Sequence, residues 1–247
     1  MVKWFWPDLS SRADDPELMD EPAVEPAELV ESLDQLRLIN RLLGAAWPTI
    51  EGIHRLWEQA GCPKRLSLLD IGTGSGDIAD HILKWADRRG LELQLTLLDL
   101  QPYTCALVAS RYQTDARVSV IQGNIRHLGI RRADIVTASL FLHHFPNRQL
   151  ATVLSEMQQA AHLGVVVNDL HRHRFAWAFI RAATRLLSDN RLIRHDAPLS
   201  VRRGFRAAEL DRLKNDARLE QLTYGWRPLF RYLIILPATN ALETRIC

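Results

Sequence analysis

The run Leu68-Leu69-Asp70-Ile71-Gly72-Thr73-Gly74-Ser75-Gly76-Asp77 constrains the fold more than any other stretch of the chain. A short apolar segment runs into three glycines, each separated by one residue, and an amphipathic segment starts at once behind them. A strand, a tight turn and a helix in that order let a ligand approach the backbone with no Cβ in the way. The first N–H groups of the helix are then left to face that ligand. Asp77 stands where a dinucleotide-binding fingerprint would carry its last glycine, which tells against a nicotinamide-dependent oxidoreductase.

Around this junction the pattern alternates. Strands are predicted over Leu66–Ile71, Leu93–Leu98, Val118–Ile121, Asp134–Ala138 and Gly164–Val167, with helices over Asp77–Arg89, Tyr103–Tyr112 and Arg148–Ala161. Short apolar strands alternating with helices mean a parallel sheet covered on both faces, with right-handed crossovers. Before it, Pro26 opens a helix whose leucines recur at helical spacing up to Gly44, and a second helix covers Pro48–Ala60. Residues 1–25 read as an irregular acidic arm. In it Trp4, Phe5 and Trp6 either pack on the body or touch a membrane or partner. Behind the fifth strand, residues 171–206 form a helical insertion, followed by a helix at Ala207–Asn215 and strands near Leu219–Tyr224 and Phe230–Leu236.

The tips of the strands carry the chemistry. Asp70 ends the first strand and Asp99 the second, where a carboxylate can take both hydroxyls of a ribose. From Leu66 to Asp169 the chain resembles the class I S-adenosylmethionine-dependent methyltransferases of the small-molecule type. Its later half, with Asn40–Gly44, resembles a bacterial subgroup associated with quinone and polyketide pathways. The resemblance implies a Rossmann-like, doubly wound, mostly parallel α/β sheet of seven strands with an antiparallel edge. The N-terminal helices (26–62) and the helical insertion or lid (171–206) then belong to one domain, residues 26–247. It also implies S-adenosyl-L-methionine as cofactor. Asp70 would meet its amino group, and Gly72, Thr73, Gly74 and Gly76 would form the turn that cradles it. Asp99 and Leu100 would sit at its ribose, Asn124 and Ile125 at its adenine, and Ser139 and Leu140 beside its sulfonium.

Candidate bases follow the fourth and fifth strands. His143 and His144 lie just past Ser139-Leu140-Phe141-Leu142, and a histidine can take a hydroxyl proton near neutral pH. His144 is placed slightly ahead of His143. Asn168, Asp169 and His171 are expected at the same crevice, with Asp169 orienting an imidazole and His171 as a further base. The structural alternatives are a helix-capping pair and a surface histidine. The acceptor is read as aromatic or lipid-like, methylated on a phenolic or polyketide-like hydroxyl. Alternatives are methylation of a quinone-type ring carbon and a binding module without catalysis.

The insertion carries Arg172, Arg174, Arg181, Arg185, Arg191, Arg194, Arg202, Arg203 and Arg206. It reads as a solvated amphipathic helix, or as a surface for an anionic carrier or membrane. Residues 194–205 are expected as a loop over the acceptor, with His195 and Asp196 either reaching the substrate or serving a structural turn. A net charge of +2 argues against nucleic acid as partner. Cys62, Cys105 and Cys247 form no CxxC, so neither a disulfide framework nor a metal site is expected, and the cytoplasm is the expected compartment.

Overall fold

The structure is a computed structural model and describes residues 6–20, 24–125 and 133–239; Trp4 and Phe5 lie outside them. Seven strands form one sheet: β1 (Arg65–Ile71), β2 (Glu92–Asp99), β3 (Val118–Gln122), β4 (Ala133–Ser139), β5 (Ala161–Leu170), β6 (Thr223–Arg227) and β7 (Arg231–Pro237). Their order is β3-β2-β1-β4-β5-β7-β6. The first five are parallel, while β7 runs antiparallel to both β5 and β6, so the reversed strand is the one beside the edge.

The helices are α1 (Pro26–Leu42), α2 (Trp47–Gln59), α3 (Asp77–Asp87), α4 (Pro102–Arg111), α5 (Asn147–Gln159), α6 (Arg174–Leu187), α7 (Arg191–Arg203) and α8 (Ala207–Asp216). Strand residues alternate between two apolar cores, as the period of two requires. Leu68, Ile135, Val166, Leu233 and Ile235 pack with Ile53, Leu56 and the α3 side chains on one face. Leu69, Val136, Val167, Ile234 and Leu236 meet Leu150, Val153, Leu154 and Leu210 on the other. Asp134 pins the start of β4 by accepting from the Ser67 N–H at 2.7 Å and the Ser67 hydroxyl at 2.8 Å.

Two readings of the sequence are corrected. Residues 194–205 are not a loop, because α7 runs through them with Pro198 inside it. Asn190 caps the helix by accepting from Leu192 N–H at 2.9 Å. Proline in a helix interior costs about 3 kcal/mol, and burial of Leu192, Ile193, Leu199 and Val201 holds the helix against that cost. The sixth strand starts at Thr223 rather than Leu219, since Leu219 and Leu222 pack into the core from the turn before it.

The arm lies against the insertion. Its backbone is irregular from Pro7 to Glu17 and closes in a 3₁₀ turn, Leu18–Asp20. Both oxygens of buried Asp196 accept from it, from Leu18 N–H at 2.8 Å and Met19 N–H at 2.9 Å. Asp196 thus anchors the arm, and it also lines the cavity described below. Trp6 lies 6.4 Å from the Trp177 ring, on the body of the protein. No helix among the described residues is long and apolar enough to cross a membrane.

Candidate active site

The carboxyl ends of β1, β2, β3 and β4 open into a cavity of about 580 Å³. Its floor is the glycine turn. Gly72, Gly74 and Gly76 all take left-handed φ angles, of 65°, 51° and 74°. A Cβ on Gly72 would stand 2.3 Å from the Phe141 ring, while one on Gly74 would meet nothing and project into open space. Gly76 lies behind the wall, its carbonyl accepting from the Tyr112 hydroxyl at 2.7 Å. Asp99 accepts from Gly74 N–H at 3.0 Å and Gln101 N–H at 3.0 Å, which fixes its carboxylate at the rim.

Asp70 is buried in the wall and accepts from the Thr137 hydroxyl at 2.6 Å. Burial raises its pKa to about 7, with Asp77 and Asp99 adding to the rise against the hydroxyls of Thr137 and Thr73. A carboxyl balanced between its two forms suits a site that receives a cationic group. Leu140 holds φ at 54°, a conformation that costs a side-chain-bearing residue about 1 kcal/mol or more, and its N–H donates to the Asn168 carbonyl at 2.8 Å. Leu100, Asn124, Ile125 and Ser139 complete this end. Thr49 on α2 joins Ser139 by a 2.6 Å hydroxyl contact.

The other end is apolar above and charged below. Leu29, Leu33, Leu36 and Ile39 of α1 form a roof, with Leu170, Ile180 and Val201 beside them. Below lie His143, His144 and Glu17. His143 is buried, its Nδ1 2.7 Å from Asp169 Oδ1 and its N–H donating to Asp169 Oδ2 at 3.1 Å. Its Nε2 stands 3.6 Å from Glu17 Oε1, and His144 Nε2 stands 3.9 Å from Glu17 Oε2. Burial opposes charge on His143, but Asp169 and Glu17 outweigh it and raise the pKa to about 9. Glu17 is driven the other way: the two histidines and the Ser200 hydroxyl overcome its burial and lower it to about 2.

Ligand atoms of Glu17, His143 and His144 fall within 4.8 Å of one another. The contacts of Glu17 with both imidazoles and of His143 with Asp169 hold these three side chains together.

The predicted residues divide as follows. Asp70, Gly72, Thr73, Gly74, Asp99, Leu100, Asn124, Ile125, Ser139, Leu140, His143 and His144 meet at one cavity wall, and Asp169 supports it from behind His143. His171 is not brought there. It accepts from Trp226 Nε1 at 3.2 Å on the far side of β5 and packs on Tyr232. Burial lowers its pKa to about 4, with His173, Arg206 and Arg172 adding to the fall. Asn168 faces α2 instead, donating to the Ala45 carbonyl at 2.6 Å. Glu17 and Arg231 line the cavity without having been singled out in the sequence. Glu17 sits in an aperiodic arm and Arg231 opens an apolar strand, so neither carries a local signal.

The arginines of the insertion are mostly engaged within the molecule. Arg172 grips Glu209 through two bonds of 3.0 and 2.6 Å, Arg191 pairs with Glu28, and Arg194 with Asp189. Arg202 pairs with Asp15, and Arg203 donates to the carbonyls of His143, His144 and Asp15. This gives no support to an anionic carrier or membrane as partner.

Residues 68–164 match a family described as a methyltransferase domain. No curated protein compared matches the chain. Among solved structures, the plantazolicin methyltransferase BpumL, in complex with a triazolic desmethylPZN analog and SAH, superposes with a TM-score of 0.63 at 12% identity over 84% of this chain and 90% of that one. A SAM-dependent methyltransferase from Aquifex aeolicus gives 0.57 at 14% over 87% and 100%. The citrinin polyketide synthase CMeT domain gives 0.52 at 15%, covering 70% of this chain but only 46% of that chain. At such identities the likeness is one of fold. Residues 68–164 thus match a methyltransferase domain, and the seven-stranded sheet around them has the Rossmann-like fold of the solved methyltransferases.

Proposed function

We propose that the protein methylates a hydroxyl of a small aromatic acceptor, phenolic or polyketide-like, with His144 as the base. The observation carrying this reading is the continuity of the cavity from the glycine turn and Asp99 to His144 and Glu17 under the apolar roof of α1. A binding module without catalysis needs no such acceptor end. The scattered cysteines support a cytoplasmic setting.

The residues fit the donor. Open space over Gly74 leaves room for its backbone approach, Asp70 suits the ammonium group, and Asp99 suits the ribose hydroxyls. Asn124 and Ile125 would hold the adenine, with Ser139 and strained Leu140 beside the reacting centre. S-adenosylmethionine supplies a methyl group already activated on sulfur. The chain's own residues orient the acceptor, exclude water and receive its proton. His143, whose pKa Asp169 and Glu17 raise, is the weaker base of the pair. Held by Asp169, it positions Glu17, whose carboxylate faces His144 Nε2 and stabilises the imidazolium formed when that ring takes the proton.

The test combines calorimetry with product analysis. Asp99→Ala is expected to weaken S-adenosylmethionine binding by about tenfold or more, at the scale of a charge-assisted hydrogen bond. A panel of phenols with methyl-deuterated donor should yield an O-methyl product by mass spectrometry and NMR. His144→Asn should lower kcat by about 10²- to 10⁴-fold with donor affinity retained. Full activity in that variant removes His144 as base, and a ring-methylated product moves the reaction to carbon.

A further inference from the structure

Most buried arginines of this protein are satisfied. Arg12 donates to the Arg203 carbonyl at 2.7 Å, the Asn147 side chain at 2.7 Å and the His143 carbonyl at 2.9 Å. Arg172 reaches Glu209, and Arg203 reaches three carbonyls. Arg231 differs. It is 3% exposed and lines the cavity, yet its Nε and Nη1 have no hydrogen-bond partner.

Its place follows from the reversed strand. Arg231 is the first residue of β7 and pairs with Leu170 at the end of β5, which brings it to the edge where the parallel strands open. Alternation sends it to the face of Leu233 and Ile235, away from Tyr232. The two residues before it, Leu229 and Phe230, both hold left-handed φ angles, 63° and 56°. Burial lowers the guanidinium's pKa only to about 10, with Asp169 and Asp77 acting at a distance to hold it up, so it stays charged at neutral pH. A buried cation without a partner is strongly unfavourable until a counter-charge arrives.

We propose that Arg231 is a carboxylate-binding residue of the cavity. A planar carboxylate laid against the guanidinium supplies both the missing charge and acceptors for its donors. Two ligands can carry that group: the methionine end of the donor, or an acid group on the acceptor. The proposal rests on reading the cavity as the site of both.

Calorimetry on the full chain decides between them. One arm compares S-adenosylmethionine with its decarboxylated form, on the wild type and on Arg231→Gln. The other compares benzoate with methyl benzoate on the same two proteins loaded with S-adenosylhomocysteine. In one arm the wild type should prefer the carboxylate by tenfold or more, and Arg231→Gln should erase that preference. The arm in which this happens names the ligand. No preference in either arm on the wild type, a comparison that needs no variant, overturns the proposal, as does a preference surviving in Arg231→Gln. A chain that binds neither adenosyl compound overturns the functional reading instead, and benzoate against its ester, measured then on the two unloaded proteins, still decides Arg231.

Discussion

Asp70 shows how one buried carboxyl can set a pH dependence. Its pKa of about 7 means that near neutrality a large share of the free protein holds it protonated. A donor ammonium needs it ionised, so binding should release a proton. The affinity for S-adenosylmethionine should therefore rise by about tenfold from pH 6 to pH 8. Calorimetry in buffers of different ionisation enthalpy measures both effects, and Asp70→Asn should bind more weakly with a flat profile. Asp70 and Asp99 were legible in the sequence because a strand followed by a turn fixes where its last side chain goes. Asp169 was legible as a histidine's partner, but its imidazole proved to be His143. Glu17 was not legible at all, since only the folded arm brings it there.

Among the elements, α7 gives the sharpest lesson. Its arginines, Pro198 and Ser200 read locally as a loop, while the apolar residues that make it a helix are buried by the arm and by its neighbours. Local chemistry lost to tertiary packing, as it often does for weak helical patterns. The linkage of Asp169, His143 and Glu17 also belongs to this scale, because it ties β5, the turn after β4 and the arm together. The His143 pKa rises from 6.5 to about 9, so its stabilisation is complete below pH 6.5 and is lost as pH climbs through 9. That of Glu17 falls from 4.5 to about 2, so its contribution is complete above pH 4.5 and is lost as pH drops towards 2. A tenfold change in proton affinity corresponds to about 1.4 kcal/mol, which puts the linkage at a few kcal/mol. The stability lost in His143→Gln, read as the difference in Tm from wild type, should be greatest from about pH 4.5 to 6.5 and shrink as pH rises through 9.

Over the whole molecule, the parallel half of the sheet was readable from alternation alone, whereas the exact seat of β7 was not. Nothing in Phe230–Leu236 distinguishes an edge strand from one lying between β5 and β6, and the buried run Tyr232–Leu236 is explained only by neighbours on both sides. The wrapping of arm around insertion is likewise a long-range property. Asp196→Ala removes the acceptor of two backbone N–H groups at a buried site. A loss of about 1–3 kcal/mol is expected, read as a lower Tm. Faster amide exchange at Leu18 and Met19 should accompany it, with exchange in β1 and β4 little changed.

The grip of Asp196 on Leu18 spans 178 residues of chain. During synthesis the arm leaves the ribosome long before its anchor exists, so it must wait, unpaired, while the sheet assembles behind it. The wall that holds Glu17 is thus among the last parts of the molecule to close, and a nascent chain can carry a finished glycine turn while its acceptor end is still open to water.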